Sequence, residues 1–254
     1  MKPPIVLSAF GTSSKALETY SFIDSIIKAR FAGHEVVWAY TSRMIKQKLA
    51  QESNVQIKHP DAVLKKLYEK GHKRAVVQSM HLICGHEFYK LTDEARSAKI
   101  HTSIGMPLLT SCDDYKNVSL ALSIDEYLQE NQAIVLVGHG TRHHAWTSYP
   151  ALENILKQNY GPDVHIGVID TKFPKIHLIE KIDRTGAKQI ILLPFMLVAG
   201  MHLKRDLTGS EDSWQNAFNA KNIFVKIEKQ GIGYNKKIIE IFINHIQDAL
   251  DRVL

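Results

Sequence analysis

The sequence holds only two cysteines, Cys84 and Cys112, and no CxxC pair. A disulfide framework and a thiolate zinc site are both excluded on that count. No apolar stretch approaches the roughly 20 residues of a membrane-spanning helix. The start, Met1-Lys2-Pro3-Pro4, runs straight into Ile5-Val6-Leu7 without a signal-peptide core or cleavage site, which places the expected protein in the cytoplasm and off the membrane. Basic residues never run longer than a pair, so a nucleic-acid-binding arm is not expected. The GxSxG and HExxH motifs are also missing, which leaves ordinary hydrolase chemistry unsupported. What remains is a chain of 254 residues with 44% hydrophobic and 23% charged residues, a net charge of +6 and 13 histidines. Neutral imidazole is a common ligand for borderline metals, so the histidines are the informative excess.

Short β-rich runs alternate with longer amphipathic ones. Strands are predicted over 5–10, 35–40, 74–80, 100–108, 133–137, 164–169, 189–194 and 223–227. Helices are predicted over 15–32, 62–70, 114–130, 149–158, 176–185 and 235–252, with Gly33, Gly71 and Gly186 as stop signals. Such alternation implies parallel sheets with crossover helices, an α/β architecture. The two halves echo one another. Residues 5–12 (IVLSAFGT) match residues 134–141 (IVLVGHGT) at five of eight positions, a shift of 129. Residues 75–87 match residues 190–202 more loosely, a shift of 115. Two matches in the same order indicate a duplicated βα unit. The division is expected near residue 130, giving halves 1–130 and 131–254, with the last helix able to pack back on the first half.

In open parallel sheets, ligands bind beyond the carboxyl ends of the strands. Three polar residues fall there: His139 after the fifth strand, His202 after the seventh and Glu87 after the third. The duplication sets Glu87 and His202 in equivalent loops, facing each other across a cleft with His139 at its floor. Two imidazoles and a carboxylate suit a first-row divalent ion with open positions. The same groups can take protons from a substrate near neutral pH. Each has a structural reading too: His139 as a turn residue between two glycines, His202 as a helix cap, Glu87 as a first-turn acid favoured by the helix dipole. Thr12-Ser13-Ser14 reads as a helix cap and anion site. Of His143 and His144, one is expected to line a pocket with Trp146. His81 reads as a strand residue.

At these residues the sequence resembles a known family. The segments Ala9-Phe10-Gly11-Thr12-Ser13, Tyr40-Thr41-Ser42-Arg43, Val77-Gln78-Ser79-Met80-His81, Gly85-His86-Glu87-Phe88, Val137-Gly138-His139-Gly140 and Leu193-Pro194-Phe195-Met196 are similar to those of the anaerobic sirohydrochlorin cobaltochelatases. These are class II tetrapyrrole chelatases of the long, two-domain kind, and the likeness spans nearly the whole chain. The resemblance implies two Rossmann-like halves, pseudo-duplicated, with a parallel sheet in each and a cleft for the macrocycle between them. It implies insertion of Co2+ into sirohydrochlorin, in cobalamin biosynthesis, with release of two protons. Fe2+ and Ni2+ are the alternative metals, and no organic cofactor is expected. Family ligands and catalytic residues fall on His139, His202 and Glu87. Substrate contacts are expected from Phe10, Thr12, Ser13, Arg43, His143 and Lys204, the basic ones drawing in a polycarboxylate. Met201 departs from the acidic residue frequent in the family before that histidine. The rival readings are a sirohydrochlorin ferrochelatase and a non-catalytic metal or tetrapyrrole carrier, either as a monomer or as a homo-oligomer.

Overall fold

The structure is a computed structural model that describes residues 1–11, 17–42, 58–170, 174–200 and 203–253, with the side chain of Lys204 outside the description. It contains two four-stranded parallel sheets. The first is built from β1 (Ile5–Ala9), β2 (Val36–Tyr40), β3 (Arg74–Ser79) and β4 (His101–Gly105), in the order β2-β1-β3-β4. The second is built from β5 (Gln132–Gly138), β6 (Val164–Val168), β7 (Gln189–Pro194) and β8 (Phe224–Ile227), in the order β6-β5-β7-β8. All five residues of β1 are buried, as are six of the seven in β5. Central parallel strands are covered on both faces, which is why these two read as unbroken apolar runs and not as alternating ones.

The duplication holds at the level of register. Ile5 pairs with Val76 in the first sheet, and Ile134 pairs with Ile191 in the second. Those partners are related by the same two sequence shifts, 129 and 115.

The helices among the described residues are α1 (Leu17–Arg30), α2 (Pro60–Glu69), α3 (His86–Arg96), α4 (Cys112–Ala121), α5 (Ser148–Tyr160), α6 (Lys175–Arg184), α7 (Trp214–Asn219) and α8 (Lys236–Val253). None is long and apolar enough to cross a membrane. The predicted stop residues Gly33, Gly71 and Gly186 all have positive φ. The helix expected over 114–130 is shorter than that. It ends at Ala121, Ser123 turns left-handed at φ 46°, and a single 3-10 turn, Ile124–Glu126, follows.

The compact units are Met1–Asp114 with Lys236–Leu254, and Tyr115–Asn235. They part within α4, sixteen residues before the division expected from the sequence. The reason is local bonding on either side of that point. Ser119 belongs to the second unit, where it accepts bonds from Asn159 Nδ2 at 2.9 Å and Tyr160 Oη at 3.1 Å. Asp114 belongs to the first. Its Oδ2 accepts from the Ser111 amide at 2.7 Å while Ser111 Oγ accepts from the Asp114 amide at 3.1 Å, a reciprocal capping box. Its Oδ1 lies 3.0 Å from His245 Nε2 on α8, whose Nδ1 lies 2.9 Å from the Met106 carbonyl. Both ring nitrogens of His245 thus face acceptors. The imidazole fixes the last helix of the first unit over the loop that follows β4.

In the second unit the edge strand β6 is blunted by a carboxylate. Glu153 on α5 accepts from the Ile166 amide at 2.9 Å and pairs with Lys157. Burial acts to raise its pKa, but His165, Lys157 and the Ile166 amide outweigh burial and bring it down to about 2.

Two expectations follow. His245→Ala removes two side-chain bonds and takes from Asp114 Oδ1 the ring nitrogen 3.0 Å away. It is expected to lower unfolding stability by about 3 kcal/mol, measured by urea denaturation. A depressed carboxylate stabilises above its unfolded pKa and loses that contribution as pH falls through the folded value. Glu153 therefore contributes acid sensitivity between about pH 4.5 and about pH 2. Glu153→Gln is expected to flatten the stability profile in that window, read from melting temperature against pH.

Candidate active site

In each sheet the strand that follows first in sequence lies on one side of the central strand and the next lies on the other. Chain connections leave in opposite directions there, and the crevice that opens at the carboxyl ends is the place where such sheets bind ligands. The same backbone bond marks it twice. The Met80 amide donates to the Ser8 carbonyl and the Phe195 amide to the Val137 carbonyl, both at 2.8 Å. Phe10 leaves the first sheet at this position and His139 leaves the second, and both side chains are exposed.

His139 stands on a turn that tolerates no side chain on either flank. A Cβ on Gly138 would lie 2.4 Å from Tyr149 Cε1. Gly140 has φ +82°, and its Cβ would lie 2.9 Å from Asp170 Cβ. The Gly140 amide donates to Tyr149 Oη at 3.1 Å, so a buried phenol holds the turn from below. Burial pushes that phenol's pKa up, and the Gly140 bond partly offsets it. His139 Nδ1 lies 3.3 Å from the Gly140 carbonyl. Donation from Nδ1 to a carbonyl puts the lone pair on Nε2, the tautomer that suits a metal ligand.

His143, expected to touch substrate, uses its Nδ1 to accept from the Ala145 amide at 3.2 Å, capping the 3-10 turn His144–Thr147. Its ring centroid lies 3.9 Å from that of His144, with the two planes tilted by 37°. Arg142 lies 3.8 Å from Asp170. A cavity of about 330 Å³ opens beside this turn, bordered by Gly140, Thr141, Trp146, Tyr149 and Trp214.

In the first unit, Glu87 occupies the first turn of α3, where the helix dipole favours negative charge. It is half-buried, and its Oε2 is shut off from solvent and meets no hydrogen-bond partner among the described residues. The neighbour that the sequence reading placed in a strand is His81. It lies two residues past the end of β3, at the carboxyl edge, with Nδ1 2.9 Å from Ser79 Oγ. Burial pushes its imidazole pKa down to about 4, while the charge of Glu87 acts to raise it.

Of the other expected site residues, His202, Thr12, Ser13 and Arg43 lie outside the described residues. Lys204 falls in the π-helical stretch Leu203–Gly209. Among the described residues, no three His, Cys, Asp or Glu side chains converge as a metal cluster.

The sequence matches the family described as Cobalt chelatase (CbiK) over residues 4–251. The chain belongs to that family. One relative, the sirohydrochlorin cobaltochelatase of Salmonella typhimurium, is 30% identical over 99% of this chain and 97% of its own length. The sirohydrochlorin cobaltochelatase CbiKC of Nitratidesulfovibrio vulgaris is 29% identical over 98% of this chain and 91% of its own. Among solved structures, SirB from Bacillus subtilis with Fe3+ matches 98% of this chain and 96% of its own, with a TM-score of 0.69 at 17% identity. The sirohydrochlorin chelatase SirB of the same species in complex with cobalt gives 0.68 at 15% identity, over 99% and 97% of the two chains. The two parallel-sheet halves are thus the fold of a chelatase, and a metal ion is the substrate of this family.

The turn around His139 gives a direct check on this family member. Gly140→Ala and Tyr149→Phe are each expected to destabilise by about 1–3 kcal/mol, the first through strain and the second by orphaning an amide. Both are expected to weaken Co2+ binding as well, measured by titration of the folded variants.

Proposed function

We propose that this chain inserts Co2+ into sirohydrochlorin, the activity for which the Salmonella typhimurium relative is named, and that two protons are released as it does so. The end-to-end match to the cobalt chelatase family carries the reading. The chemistry of the described residues supports it. His139 is exposed on a turn with no room for a flanking side chain, and its Nδ1 contact suits Nε2 to an incoming ion. His139, His202 and Glu87 are the proposed ligands and catalytic groups. Phe10, Thr12, Ser13, Arg43, His143 and Lys204 are the proposed contacts to the macrocycle.

Insertion has two costs: water must leave the ion, and two pyrrolic N–H protons must leave the macrocycle. A site of two imidazoles and a carboxylate meets both, because it replaces lost water ligands and offers bases that work near neutral pH. Holding the macrocycle plane against the ion makes transfer effectively intramolecular. The net charge of +6 favours recruitment of a polycarboxylate. Affinity alone would rank nickel and copper above cobalt and iron, so selection falls to geometry and supply. The proposed setting is the cytoplasm, with a tetrapyrrole and a metal ion as partners and no nucleic acid or membrane.

The test is an anaerobic absorbance assay with sirohydrochlorin and Co2+, beside Fe2+ and Ni2+, over a background without protein. Many turnovers per chain are expected with Co2+, lost by at least about 100-fold in His139→Ala and His202→Ala, the size typical of removing a positioned acid–base group. Faster turnover with Fe2+ would make the chain a ferrochelatase. One metal bound per chain without turnover would make it a carrier.

A further inference from the structure

A cavity of about 270 Å³ opens in the first unit beside the edge strand β2, between that strand and α2. It reaches Glu35 and Lys70 at the amino end of the strand and shares no residue with the candidate active site at the carboxyl ends. Regular elements build it. Val63, Lys66, Leu67 and Lys70 recur at helical spacing, on one face of α2 and its C-cap. Lys58 precedes the helix and is fixed against β2, where its carbonyl accepts from the Tyr40 amide at 3.0 Å. Val63 and Leu67 are buried and give the cavity an apolar floor. Trp38 of β2 borders it too, with its indole tied to Asp24 at 3.1 Å.

The charge around this cavity is one-sided. Three lysines, Lys58, Lys66 and Lys70, meet a single carboxylate, that of Glu35. That carboxylate is already engaged, by Lys70 at 2.5 Å and by His72 Nε2 at 3.4 Å. Two positive charges remain, on Lys58 and Lys66, and no carboxylate among the described residues pairs with either. The helix dipole favours lysines at the end of α2, which accounts for Lys66 and Lys70. It does not account for Lys58, which lies before the first turn. The ammonium of Lys66 nonetheless stands close enough to lower the pKa of Lys58. Like charges gathered beside an apolar floor favour an anion between them.

We propose that this cavity binds a small organic dianion, its two negative charges met by Lys58 and Lys66 and its apolar body resting on Val63 and Leu67. A phosphate monoester and a dicarboxylate share that chemistry. A monovalent acid leaves one lysine unmatched, inorganic phosphate covers none of the apolar floor, and a metal cation is repelled. The site is independent of metal insertion at the carboxyl ends of the strands.

The test uses the whole chain, labelled with 15N, and four probes: phenyl phosphate and phthalate, which carry two charges on a ring, benzoate, which carries one, and inorganic phosphate, which has no ring. Either ring dianion at millimolar concentration is expected to shift the amides of Val37, Val63 and Leu67, and the tighter of the two tells phosphate from carboxylate recognition. Lys58→Gln and Lys66→Gln, with melting temperatures unchanged, are each expected to weaken that probe by about 10-fold, the size of losing one bond to a charged group. No shift at those amides with either ring dianion overturns the proposal. So does binding indifferent to both variants, or binding of benzoate or inorganic phosphate as tight as that of the ring dianions. A second measurement needs no ligand. Titrated through its 13Cε shift, Lys58 is expected below an ordinary lysine and is expected to return towards it in Lys66→Gln. A Lys58 titration indifferent to Lys66→Gln separates the two ammonium groups and overturns the proposal as well.

Discussion

The order of strands in each sheet is the constraint on which the candidate site depends. Once β1 and β5 are flanked by both of their successors, the chain must leave their carboxyl ends between two diverging connections. The residue at that fork is presented to solvent whatever its type. In the first unit it is Phe10 and in the second His139. One duplicated scaffold therefore offers an aromatic ring at one fork and an imidazole at the other. The backbone pairing that builds the fork is the same in both, down to the 2.8 Å bond from the residue after the third strand.

Around that scaffold the two units rely on different polar devices. The first unit secures α8 through a buried imidazole set between a carboxylate and a carbonyl, and the same carboxylate starts α4. Arg252 near the end of α8 also reaches the Ile104 carbonyl on the edge strand β4, at 2.8 Å. The second unit protects its edge strand β6 with Glu153. In each case a side chain satisfies backbone groups that an edge would otherwise leave open to pairing with another chain.

The imidazoles at the strand ends show how burial sorts one residue type into different tasks. His139 is exposed on a glycine-flanked turn, open to a ligand that arrives from solvent. His81 is half-buried, with Nε2 shut off from solvent and Nδ1 2.9 Å from Ser79 Oγ, so its ring is not open to solvent as that of His139 is. His143 spends a ring nitrogen on capping a turn. Counting histidines cannot distinguish these roles, because each depends on what surrounds the ring.

The sequence by itself determined the α/β class, the duplication and the place of the strands, because central parallel strands are unbroken apolar runs and glycines mark the helix ends. It also marked His139, through two glycines that would be wasteful on an ordinary strand end. Helix α3 escaped the periodicity because its buried face is Phe88, Leu91, Thr92 and Ala95, a stripe diluted by two small residues. The reach of α4 depended on a left-handed Ser123 and on bonds to Ser119 from residues 40 and 41 positions later. The surroundings of His81 and Glu87 were likewise decided only by tertiary structure. Burial and hydrogen-bond partners are properties of where other segments fall, and no local pattern of residue types encodes them.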